Sequence, residues 1–98
     1  MNLEIFKDQD LRNLLESNGV DELKVFGSCV RNEETEDSDI DLLVTFKKDT
    51  GLFTLIRLER ELGEILGRKI DLLTDKALHH DLKSHILSEA KEVFHAKR

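Results

Sequence analysis

SDIDLLVTF, residues 38–46, alternates strictly: Ile40, Leu42, Val44 and Phe46 share one face, and Asp39, Asp41, Leu43 and Thr45 the other. That period of two reads as a β-strand with one apolar face. Working upstream, LKVFG at residues 23–27 is a second strand that ends at a glycine turn, and Leu11, Leu14 and Leu15 mark a helix from Asp8 to Asn18. Downstream, Gly51 precedes Leu52, Leu55, Ile56, Leu62, Ile65 and Leu66, an amphipathic helix that stops at Gly67. KIDLLT, residues 69–74, is the next strand, with Asp71 opposite in face to Ile70 and Leu72. Leu78, Leu82, Ile86, Ala90 and Val93 trace a final helix. With a short helix expected after Gly27-Ser28, the order predicts an α/β or α+β fold, a small mixed β-sheet flanked by helices.

The chain has 98 residues, enough for one hydrophobic core, so residues 1–98 are expected to form a single domain. Proline is absent and no repeat or low-complexity tract interrupts the pattern. No apolar run approaches the roughly 20 residues of a bilayer crossing, which excludes a membrane protein. The start, MNLEIFKDQD, has no basic leader and no apolar signal core, so a cytoplasmic location is expected. The lone Cys29 cannot form an internal disulfide. Fifteen Lys and Arg against 21 Asp and Glu give a net charge of -6, the wrong sign for direct nucleic-acid binding. So small a core would gain from a partner surface, in a homo- or hetero-oligomer.

Three aspartates could do chemistry. Asp39 and Asp41 leave one strand face with Cα atoms roughly 6.5–7 Å apart, and Asp71 has the same parity on a strand that would lie about 4.8 Å away if adjacent. Three acids so placed repel one another unless a divalent ion neutralises them. The plain alternative, a solvated acidic face, fits the Asp39–Asp41 pair alone but fits all three less well. Upstream, Gly27-Ser28 sits where a strand turns into a helix, and backbone N–H groups there suit a phosphate. Arg31 would add a cationic contact, although alone the pair reads as a turn with a serine cap. Together these parts are the equipment of two-metal nucleotidyl transfer.

Here the chain resembles a known family. GSCVRNEETEDSDIDLLVTF fits the GSx10DxD signature of the DNA polymerase β-like nucleotidyltransferases, and LGRKIDLLTDKAL fits the strand bearing their third aspartate. At this length it is similar to the minimal nucleotidyltransferases, the MntA-like antitoxins of HEPN/MNT toxin–antitoxin pairs. The resemblance implies that Gly27 and Ser28 bind ATP phosphates, aided by Arg31, and that Asp39 and Asp41 bind Mg²⁺, with Asp71 as third carboxylate. It implies AMP transfer from ATP to a tyrosine of a HEPN ribonuclease toxin. Two positions depart from the pattern. Asn32 stands where a small residue commonly follows the arginine, and it tolerates left-handed backbone. Cys29 stands where many relatives carry arginine, leaving Arg31 to supply the charge.

The residues also bear on other readings. Asp37, Asp39 and Asp41 begin like an EF-hand, but Leu42 replaces the required glycine and Lys48 the bidentate glutamate. Asp81 and His85 share a helix face without further zinc ligands, and His79, His80 and His95 read as surface. Glu33, Glu34, Glu36 and Asp37 form an acidic run suited to a solvated loop or a basic partner, and Lys47 and Lys48 read as loop charges. A non-catalytic antitoxin that binds its toxin stoichiometrically is the alternative function. A small-molecule or RNA nucleotidyltransferase would need an additional domain to grip its acceptor.

Overall fold

A computed structural model describes residues 3–27, 30 and 39–96. Its centre is a four-stranded sheet of β1 (Val20–Phe26), β2 (Ile40–Phe46), β3 (Ile70–Thr74) and β4 (Lys91–His95), in the order β3-β2-β1-β4. β1 runs antiparallel to both β2 and β4, whereas β2 and β3 are parallel, so the sheet is mixed. Parallel neighbours require a crossover, and α2 (Leu52–Leu66) supplies it. α1 (Gln9–Ser17) precedes β1 and α3 (His80–Glu89) precedes β4, which completes an α+β fold.

Local chemistry sets the element ends. The Asp8 side chain accepts the Leu11 N–H at 3.1 Å and starts α1. α2 stops at Gly67, whose φ of 66° is left-handed backbone that glycine adopts without strain. Leu11 and Leu15 of α1 and Leu58 and Leu62 of α2 are fully buried against Leu23, Val25, Ile40, Leu42, Val44, Ile70 and Leu72 of the sheet. This packing consumes one sheet face and leaves the other for the residues of opposite parity. Among the described residues no polar or charged residue is fully buried, so the core is apolar throughout.

Two expectations are corrected. The strand expected at 23–27 begins at Val20, directly after Gly19, and stops at Phe26. The final helix does not reach Val93: it ends at Glu89, and Lys91–His95 is a strand. Helical spacing from Leu78 to Val93 is misleading because Leu82 is 57% exposed and no residue of α3 is buried, while Phe94, outside that pattern, is 2% exposed. Phe94 pairs with Leu23 in β1, and the Arg12 guanidinium lies 5.1 Å from the centre of its ring. Leu3–Lys7 forms an additional 3-10 turn that buries Phe6. The short helix expected after Gly27-Ser28 falls mostly outside the described residues.

Candidate active site

Sheet register brings the acids together. Asp41 of β2 stands opposite Phe26 of β1 on one side and opposite Asp71 of β3 on the other. Neighbouring strands are about 4.8 Å apart, so the Asp41 and Asp71 carboxylates leave adjacent backbones on the face away from the helical core. Asp39 precedes β2 with the same parity. There the Ile40 N–H donates to the Lys69 carbonyl at 2.9 Å, and the Lys69 ammonium lies 3.9 Å from Asp39 Oδ2. Asp39 and Asp41 are partly exposed and Asp71 is exposed, so none of the three is fully buried.

Gly27 ends β1 with φ of 75°. A Cβ built there would overlap the Asp41 carboxylate, so the bare backbone of the turn packs directly on an acid of the site. The sequence placed Gly27, Asp39, Asp41 and Asp71 in one site, and the fold gathers these four at one end of β2. Ser28, Arg31, Cys29, Asn32 and the acidic run at Glu33, Glu34, Glu36 and Asp37 lie outside the described residues.

The donor set fits the cation expected there. Three carboxylates are oxygen donors that suit a hard divalent ion such as Mg²⁺, and the absent Cβ at Gly27 leaves Asp41 its place beside the turn. Among the described residues the tightest metal-type cluster is elsewhere: Glu22, Glu92 and His95 have ligand atoms within 4.8 Å of one another, and the aspartates do not converge so closely. Lys24 lies 3.3 Å from Glu22 and already supplies a positive charge to that cluster.

Sequence reasoning missed two neighbours of the aspartates. Lys69 faces Asp39 only because the strands are parallel and in register. Glu59, about two helical turns inside α2, reaches the outer edge of β3, where its Oε2 accepts the Leu72 N–H at 2.8 Å. That bond satisfies an edge amide beside Asp71 and ties the strand to α2. The helical spacing of Glu59 relative to Ile56 and Leu62 places it on the flank of the buried face, but the residue it meets is set by the crossover.

The nucleotidyltransferase domain family model matches residues 8–93. A provisionally named protein adenylyltransferase of Methanocaldococcus jannaschii is 44% identical over 93 residues, 95% of this chain and 99% of the relative. A solved structure described as a minimal nucleotidyltransferase, also a provisional name, superposes with a TM-score of 0.78 at 34% identity, covering 93% of this chain and 95% of that one. A complex of tri-AMPylated Shewanella oneidensis HEPN toxin with MNT antitoxin gives a TM-score of 0.71 at 18% identity, covering 97% and 74%; at that identity the likeness is one of fold.

Proposed function

Because this chain belongs to the nucleotidyltransferase domain family, we propose that it is an Mg²⁺-dependent enzyme that moves AMP from ATP to a tyrosine hydroxyl of a cognate HEPN-type toxin and thereby silences it. The observation that carries the reading is the register of Asp41 with Asp71 beneath the bare backbone of Gly27. It sets a side-chain-free backbone beside oxygen ligands for a cation, which suits a triphosphate substrate.

In this reading residues 1–98 act as one minimal domain. Gly27 and Ser28 hold the β- and γ-phosphates through backbone N–H groups, and Arg31 offsets charge on the departing pyrophosphate. Asp39, Asp41 and Asp71 would hold Mg²⁺, which would supply positive charge against the triphosphate. The acceptor hydroxyl oxygen bonds to the α-phosphorus as the bond from that phosphorus to the pyrophosphate oxygen breaks. The hydroxyl proton passes to the Asp71 carboxylate, which is exposed and can meet an incoming acceptor. A protein acceptor brings its own docking surface, which a domain this small does not have to build.

The test is intact mass of a co-expressed HEPN partner before and after ATP and Mg²⁺, with Asp39→Asn/Asp41→Asn as control. Gain of one or more AMP units only with the native aspartates supports the reading. A partner that binds tightly and never gains mass transfers the antitoxin role to stoichiometric binding.

A further inference from the structure

At the end of β2 away from the aspartates, α2 opens with Leu52, Phe53 and Ile56, which are 67%, 90% and 54% exposed. At 3.6 residues per turn the three fall within about 100° of arc, on the flank of α2 next to its buried face. They follow directly on Thr50, the wall of a recess of about 380 Å³ between the ends of β2 and β3. Val44 and Phe46 give this recess apolar lining, and its charged lining is Lys47, Lys48 and Lys76 together with Asp49 and Asp75, the latter 3.9 Å from Lys83. From Asp41 to Phe46 the strand advances about 17 Å at some 3.3 Å per residue, so the recess is remote from the carboxylates, while Ile56 and Arg60 lie further along α2, toward Lys69.

The charge around the patch departs from that of the chain, whose net charge is -6. Asp49 is engaged by Lys76 at 2.6 Å and Glu61 by Arg57 at 3.7 Å. Among the described residues the exposed Lys47, Lys48 and Arg60 have no side-chain acid partner. Three uncommitted cations thus border three solvent-exposed apolar side chains. A second copy presenting the same patch would set cations against cations, and a flat lipid surface would leave the recess unfilled.

We propose that Leu52, Phe53 and Ile56, with the adjoining recess and its lysines, form a docking site for an acidic amphipathic segment of a partner protein. An apolar side chain of that segment enters the recess or packs on Phe53, and its carboxylates meet Lys47, Lys48 and Arg60. The surface is independent of the aspartates, so its existence stands or falls apart from the transfer reaction.

The test is selection of a phage library of random peptides of about 16 residues, long enough for a helix, on the full chain. Expected are peptides that interleave Asp or Glu with Leu, Ile or Phe at helical spacing. Their synthetic forms should lose affinity about tenfold or more against Phe53→Ser and against Lys47→Glu/Lys48→Glu, substitutions of exposed side chains. Selected peptides that are neutral or basic, affinity indifferent to these variants, or no enrichment would overturn the proposal. So would sedimentation showing a dimer that Phe53→Ser dissociates, or anionic phosphatidylserine vesicles that bind the chain through Phe53.

Discussion

Gly27 and Asp41 are in such close contact that the glycine has no room for a side chain: the Asp41 carboxylate occupies the space a Cβ would need. The contact arises because β1 ends at the Phe26–Asp41 pair and the next residue, Gly27, turns through left-handed backbone. Gly27 is therefore under two separate constraints, one conformational and one steric.

Gly27→Ala should test both. Left-handed backbone costs a residue with a Cβ about 1–2 kcal/mol, and displacement of Asp41 adds to it. Chemical denaturation is expected to show a loss of at least that size, and AMP transfer should fall further than stability does, because the shifted carboxylate no longer matches Asp71. Transfer at the native rate would mean that the turn does not shape the site.

Asp41→Asn removes a charge without changing shape. Loss of a cation ligand is expected to weaken transfer by about 10²-fold or more, and titration with Mn²⁺ followed by EPR should show weaker binding. The melting temperature without metal should hold or rise, since one member of a group of neighbouring acids is neutralised. A large fall in melting temperature would assign Asp41 a structural role instead.

Much of this site was legible because it rests on period-two alternation. Asp39 and Asp41 could be placed on one face from SDIDLLVTF alone, and Asp71 on a matching parity from KIDLLT. What parity could not give was which strand stands beside which. The Asp41–Asp71 pairing and the approach of Lys69 to Asp39 depend on a parallel register created by α2. β4 was hidden for a different reason: Leu78, Leu82 and Ile86 repeat at helical spacing, yet α3 buries none of its residues, and the strand that follows is anchored by Phe94 alone among its fully buried side chains. Burial against β1, a tertiary effect, overrides the local pattern there.

Lys76 and Asp49 provide a check on surface electrostatics. The hydrogen bond and charge of Lys76, 2.6 Å away, hold the Asp49 carboxyl below its ordinary value, and Asp49 reciprocally raises the Lys76 ammonium. A depressed carboxylate contributes stability above its unfolded pKa and loses it as pH falls through the folded value. Both groups are fully exposed, so solvent screens the pair. Lys76→Ala should return the Asp49 titration, followed by carbon-detected NMR, toward the ordinary aspartate range. The melting temperature near neutral pH should barely move; a substantial drop would show that the pair ties β2 to the turn after β3.

Glu59 offers a test of how the third aspartate is held. Its carboxylate takes the Leu72 N–H on the outer edge of β3, next to Asp71, and among the described residues no other strand covers that edge. Glu59→Ala leaves the amide to water and removes a charge-assisted bond, so a loss of about 1–2 kcal/mol is expected. Glu59→Gln keeps an acceptor oxygen and should recover most of it. Hydrogen exchange at Leu72 separates this from a general weakening of the fold: in the alanine variant that amide should exchange faster, while amides of β1, at the sheet centre, change only by the global amount. Equal acceleration everywhere would mean that Glu59 stabilises the domain without fixing the edge of β3.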